Sequence, residues 1–254
     1  MEVVLVSPRN PLNIGAAARA MANFGFRRLT IVAPFATNWT EAKSAVGAPD
    51  LLREARVLET LAEAVADCTF VLGTGSLDRR RPEQTILGLP DAAAQVRQAL
   101  FPGHTLSPDR SNGRVALLFG SEKHGLTSED LSWCHAITVI DTCDTQPSMN
   151  LGQAVAVCLY EISRSGEATP GNVNLVTGES DRHLPDSEQL DRLASLIEET
   201  MASVNYATRG MRSANGEALR VLLRRLMPND ADLRRMMGLF RRILWQLRHS
   251  GNRS

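Results

Sequence analysis

The sequence predicts an α/β protein: a mainly parallel sheet covered by helices on both faces over residues 1–165, a linker over 166–185, and a small basic helical region over 186–254. Three observations carry this. Short β-rich apolar runs alternate with helical patterns through the first two thirds of the chain, the pattern of parallel strands joined by crossover helices. At about residue 166 the alternation lapses into a stretch of Gly, Pro, Ser, Thr and Asn that reads as a linker. Beyond it, apolar residues recur at helical spacing among arginines.

The apolar runs are VVLV at 3–6, LTIV at 29–32, TFVL at 69–72, VALLF at 115–119 and AITVI at 136–140, each short enough and β-branched enough for a buried strand. Helical patterns occupy 13–24, parts of 39–66, 90–100, 127–133 and 150–164. After the linker, Asp186 or Ser187 caps a helix carrying Leu190, Leu193, Leu196, Ile197 and Met201. ALRVLLRRLM and LRRMMGLFRRILWQL continue the pattern, giving roughly three helices. Phe240 and Trp245 there read as core or dimer contact before they read as a ligand box.

Composition narrows the function classes. With 254 residues, 43% of them apolar and 22% charged, the chain fits a soluble globular protein. MEVVLVSPRN has no basic lead before an apolar run, and no apolar stretch reaches the roughly 18–20 residues of a bilayer span. Membrane insertion and secretion are therefore not expected, and a cytoplasmic location is. Cys68, Cys134, Cys143 and Cys158 are widely spaced, with no C-x-x-C pair and no clustered histidines. Neither a disulfide framework nor a metal site is expected. The zero net charge hides a polarity: residues 205–254 hold eleven arginines against Glu217, Asp230 and Asp232, a formal +8, and the first 204 residues a formal −8. These arginines read either as a phosphate-binding footprint or as the solvated faces of helices.

In parallel sheets, ligands sit beyond the carboxyl ends of strands, so the loops after 6, 72, 119 and 140 are the places to seek chemistry. No G-x-G-x-x-G follows a strand, and GSEKHG at 120–125 has Walker-like glycine spacing but lacks the required lysine. Dinucleotide and triphosphate sites are disfavoured. After the first strand comes N-P-L-N-I-G-A-A-A-R, from Asn10 to Arg19, where Asn13 can cap a helix and Gly15 and the alanines allow close backbone approach. FGSEKHGL at 119–126 sets Glu122 between Gly120 and Gly125 in a tight loop, and Glu122 reads either as a ligand-facing carboxylate or as the cap of the following turn. In IDTCDTQPSMNLGQAVAV, Pro147 fixes the backbone while Ser148 and Asn150 place short polar groups at a helix start.

Each segment alone has a purely structural reading. In this order and after these strands, the N-x-G-x-x-x-R, F-G-x-E-x-x-G-L and S-x-N-L-x-Q-A-V set over residues 1–165 resembles the three motifs of the TrmH (SpoU) group of SPOUT methyltransferases. The linker and arginine-rich helical region are similar to the TrmJ type within that group. The resemblance implies a SPOUT fold with a trefoil knot, a rare exception to the rule against knots. It also implies S-adenosyl-L-methionine as methyl donor, tRNA as substrate, a homodimer, and methylation of a ribose 2′-hydroxyl at nucleotide 32. The alternatives are another tRNA position, ribosomal RNA, or a catalytically silent knotted RNA-binding protein.

By the same resemblance the cofactor site comprises Thr74, Gly75, Ser76, Gly120, Ile140, Pro147, Ser148 and Met149. The catalytic set is Arg19, Asn13, Glu122, Ser148 and Asn150, with Arg19 acting across the dimer interface to orient or deprotonate the hydroxyl. Arginine is effectively always protonated, so stabilising a developing oxyanion is the easier role for it. Two positions depart from the pattern. Thr74-Gly75-Ser76-Leu77 followed by Arg79, Arg80 and Arg81 stands where the TrmJ type often has Thr-Ser-Ala-Arg, and Met149 replaces a more usual leucine.

Overall fold

The computed structural model describes residues 1–35, 39, 44–76, 82–100, 114–143, 145–164, 184–204, 206 and 212–250. Seven strands, β1 (Glu2–Val6), β2 (Arg28–Val32), β3 (Arg56–Leu58), β4 (Phe70–Thr74), β5 (Thr85–Gly88), β6 (Val115–Phe119) and β7 (Ala136–Val139), form one sheet in the order β3-β2-β1-β6-β4-β7-β5. Every pairing is parallel. The five apolar runs correspond to β1, β2, β4, β6 and β7. They are nearly continuous in apolar residues because alternate side chains enter different cores.

One face of the sheet, with Val3, Leu5, Phe70, Leu72 and Leu117, packs on α1 (Pro11–Asn23), α2 (Pro49–Arg53), α4 (Leu89–Leu100) and α6 (Leu151–Ser163). The other, with Val4, Val71, Ala116, Leu118 and Ile137, packs on α3 (Leu61–Val65) and the residues around α5 (Ser128–Ser132). Helices α1 and α6 approach closely: a Cβ built on Gly152 would lie 2.6 Å from that of Ala16. Gly152→Ala is expected to force the pair apart and cost about 1–2 kcal/mol, read as a lowered Tm; an unchanged Tm would show that the crossing yields freely.

Helices α7 (Ser187–Ser203), α8 (Arg212–Leu226) and α9 (Asp230–Ser250) share a third core built on Leu190, Leu193, Leu223 and Leu233. Asp186 caps α7 in a capping box with Gln189. The bundle docks on residues that directly precede strands. The Ser187 and Glu188 amides donate to the Cys68 and Ala66 carbonyls, just before β4. Arg224 donates through Nε to the Trp133 carbonyl (3.0 Å) and Arg220 to the Ser132 hydroxyl (3.0 Å), just before β7. Both guanidiniums lie over the Trp133 ring, at 5.0 and 4.8 Å. Arg225 pairs with Glu83, just before β5. Arg224 is wholly buried, and burial lowers its pKa to about 10. Arg220 and Arg224 are therefore spent inside the protein and not offered to a phosphate, while Arg225 makes an exposed ion pair; together they fasten α8 to the amino-end edge of the sheet.

Phe240 packs against this third core, as expected, while Trp245 is 50% exposed in the single chain and stacks on His249. The linker at 166–185 lies almost wholly outside the described residues. Burial pushes the thiols of Cys68, Cys134 and Cys158 up to about 12, as inert core groups. Among the described residues, no helix is long and apolar enough to cross a membrane and no cluster of side chains is arranged to hold a metal.

Candidate active site

Strands β1, β6, β4 and β7 are neighbours in the sheet, so the loops that leave their carboxyl ends gather along one edge, opposite the edge where α7 and α8 dock. Asn10, and not Asn13, caps α1: its Oδ1 accepts from the Leu12 amide at 2.9 Å and Pro11 occupies the first helical position. Asn13 sits within the helix, and this frees its amide for other partners.

Those partners are the other two motifs. Glu122 accepts at Oε2 from the Arg9 amide (2.8 Å) and at Oε1 from the Asn10 amide (2.9 Å) and from Asn13 Nδ2 (2.9 Å). Asn13 Oδ1 accepts from Asn150 Nδ2 at 2.9 Å. Asn150 Oδ1 in turn caps α6, accepting from Gly152 and Gln153 at 3.0 and 3.4 Å. The direction of each bond is forced: an ionised carboxylate only accepts, so Asn13 must present its NH₂ to Glu122 and its oxygen to Asn150, which leaves Asn150's oxygen for the helix amides. Partial burial works to raise the Glu122 pKa, but the bonds from Asn13 and from the amides of Glu122, Arg9 and Asn10 outweigh it and hold the carboxyl below its usual 4.5. Glu122 thus ties α1 to the β6 loop and does not cap the turn that follows it.

The β6 loop explains the spacing of its own motif. Ser121 and Gly125 form an antiparallel bridge, Gly125 has φ +66, Leu126 turns inward to 2% exposure, and a Cβ on Gly120 would collide with the Gly125–Leu126 backbone. Both glycines are required for Glu122 to project from so tight a turn.

The residues of the expected cofactor site lie around this network. Thr74 ends β4 with its hydroxyl donating to the Leu118 carbonyl (2.9 Å), and the Gly75 amide donates to the Thr138 carbonyl (3.2 Å). Ser76 is exposed, and Leu77 and Arg79 to Arg81 fall outside the described residues. Past β7, Ile140 and Met149 are half-buried, while Pro147 and Ser148 are exposed. The Thr142 hydroxyl bonds the Pro147 carbonyl at 3.2 Å. The fully buried Thr138 hydroxyl has no partner among the described residues, an unsatisfied polar atom two residues before this loop. Backbone amides, short polar side chains and an orphaned hydroxyl along three adjacent strand ends suit a nucleoside with a small charged tail.

Arg19 stands apart. Six residues beyond Asn13 on α1, it lies about 9 Å along the helix axis and on a different face. It is exposed and has no hydrogen-bond or ion-pair partner among the described residues.

The model of the SpoU rRNA Methylase family matches residues 1–160. A tRNA (cytidine/uridine/adenosine-2′-O-)-methyltransferase TrmJ of Pseudomonas aeruginosa is 33% identical over 250 residues, covering 96% of this chain and 92% of that protein. The tRNA (cytidine/uridine-2′-O-)-methyltransferase TrmJ of Escherichia coli K12 is 30% identical, covering 100% and 98%. Among solved structures, TrmJ from Z. mobilis superposes with a TM-score of 0.76 at 29% identity, over 95% of this chain and 98% of the other.

Proposed function

The chain belongs to the SpoU methylase family, and from that premise we propose that it methylates the ribose 2′-hydroxyl of a pyrimidine at nucleotide 32 of tRNA, in the cytoplasm. Its coarser activity is S-adenosyl-L-methionine-dependent 2′-O-methylation of tRNA. Residues 1–165 serve as the catalytic domain, with the family's trefoil knot formed around the loops after β4, β6 and β7, and residues 186–254 as a basic appendage. The observation that carries the reading is the Glu122–Asn13–Asn150 chain, in which one residue from each motif is locked to the next.

Thr74, Gly75, Ser76, Gly120, Ile140, Pro147, Ser148 and Met149 would hold the cofactor, which supplies an electrophilic methyl group on a sulfonium. The protein's task is to position the ribose oxygen in line and to stabilise charge as that oxygen loses its proton. Ser148, whose hydroxyl has no partner among the described residues, is free to bond the ribose. Asn13 and Asn150, fixed by Glu122, set the floor beneath it. Arg19 stands apart from its own subunit's cluster, and the reading gives it to the partner subunit of a homodimer, where its planar charge faces the oxyanion.

Helix α9 packs with α7 and α8 around their own core, and the reading gives its arginines a further stretch of the RNA. Arg234, Arg241 and Arg242 are exposed and have no carboxylate partner among the described residues. Replacing all three with alanine is expected to weaken tRNA binding and flatten its salt dependence by roughly 0.7–0.9 in log–log slope per lost phosphate contact. Titrations at several salt concentrations measure this, and an unchanged slope would remove α9 from the interface. The activity itself is tested by incubating the protein with labelled S-adenosyl-L-methionine and unmodified tRNA and mapping the methyl group by mass spectrometry. A 2′-O-methyl at nucleotide 32 is expected; a methyl on a base nitrogen would overturn the mechanism.

A further inference from the structure

Beside the Glu122 network, two loops are pinned together by an exposed aromatic and a guanidinium that the mechanism does not use. The Arg9 guanidinium lies 4.3 Å over the ring of Phe35, which is 63% exposed. Arg9 is itself exposed and has no carboxylate partner among the described residues. The geometry is held from beneath. The Phe35 amide donates to the Pro8 carbonyl at 3.1 Å, and Glu122 fixes the Arg9 and Asn10 amides. Ser7 and Ala33, the first residues past β1 and β2, take φ values of +49 and +44, a conformation that disfavours non-glycine residues by about 1–2 kcal/mol each. Their amides are locked to the carbonyls of Val32 and Leu58. Such strain, maintained at a strand end beside a reactive site, marks a geometry that is kept for use.

We propose that Phe35 and Arg9 form a binding platform for the nucleotide next to the target: an unpaired nucleobase stacks on the exposed face of Phe35 while Arg9 bonds the adjoining phosphate. Aromatic stacking is the common means by which proteins hold splayed-out RNA bases, and a guanidinium presents a planar fork to phosphate. The platform sits on the carboxyl-end edge, one hydrogen bond from Glu122, so the base it holds would fix the approach of the neighbouring ribose. A structural role alone would not require Phe35 to be exposed or Arg9 to lack an acidic partner. The inference rests on the RNA-methylation reading.

The test uses the full chain and an unmodified tRNA transcript with 2-aminopurine beside the target nucleotide. Wild type is expected to quench the fluorophore on binding. Phe35→Ala should abolish quenching and raise KM for tRNA about tenfold or more, with a smaller change in kcat, and Phe35→Trp should restore both. Arg9→Ala removes only the side chain and keeps the amide that Glu122 holds; it should raise KM and lower the salt slope while S-adenosyl-L-methionine affinity stays at the wild-type value. Wild-type KM and quenching in Phe35→Ala would overturn the platform alone. Absence of 2′-O-methylation by the wild type would overturn the underlying reading and the platform with it.

Discussion

Replacing Arg19 with lysine is expected to lower kcat for tRNA about 100-fold or more while leaving S-adenosyl-L-methionine affinity unchanged. Loss of one preorganised donor to a developing oxyanion costs about that much. Lysine keeps the charge but not the planar fork, and its strongly hydrated ammonium cannot present two donors in one plane. The structure adds a condition. Arg19 is six residues from Asn13, on another face of α1 and without a partner among the described residues, which is why the role proposed for it is one across a dimer interface. Mixing an Arg19→Ala chain with an Asn150→Ala chain then becomes decisive. If the site is shared, each mixed dimer contains one intact site, and a random mixture recovers about a quarter of wild-type turnover. If Arg19 acts within its own chain, no intact site exists and the mixture stays inactive. Near wild-type turnover by Arg19→Lys would remove the residue from the mechanism altogether.

What the sequence revealed and what it hid follow one physical division. Strands β1, β2, β4, β6 and β7 announce themselves because both of their faces are buried. Edge strands β3 and β5 were not expected: Arg56, Val57 and Ile86 are exposed, so RVL and TILG carry no continuous apolar run. The cap that Asn13 could supply is held by Asn10. The signal was present, since Pro11 fits the first helical position and points to the residue before it. Gly152 passed unmarked within its motif because the pressure on it comes from Ala16 on another helix, which spacing along one segment cannot show. The arginines of α8 looked like a phosphate footprint or a solvated face, and Arg220 and Arg224 proved to be neither. Their use depends on Trp133, about ninety residues away in sequence. The convergence of Asn13, Glu122 and Asn150 was suggested by motif order, but the direction of each hydrogen bond belongs to the three-dimensional arrangement.

That directionality makes Glu122→Gln the sharpest probe of the network. Glutamine has nearly the same shape, yet it replaces one acceptor oxygen with a donor, and all three described partners of Glu122 beyond its own loop are N–H groups. With the new NH₂ at the Oε2 position the Arg9 amide loses its acceptor; with it at Oε1 the Asn10 amide does, and Asn13 must also flip, present its oxygen to the NH₂ and turn its own NH₂ toward that of Asn150. A flip would break the Asn150 bond or strip the cap from α6. The loss of stability is expected to be about 1 kcal/mol, at the low end because the carboxylate is reached by solvent. The effect on chemistry is larger: displacement of Asn13 and Asn150 beneath the ribose is expected to lower kcat about 10- to 100-fold. The dependence on pH separates charge from shape. The folded-state pKa of Glu122 is depressed below 4.5, so its contribution to stability is fully present above that value and is lost as pH falls through the lower folded-state value. Glutamine does not titrate. The difference in Tm between wild type and Glu122→Gln should therefore be constant near neutrality and shrink below pH 4.5. A difference that persists undiminished in acid would mean that the side chain's packing, and not its charge, holds the three motifs together.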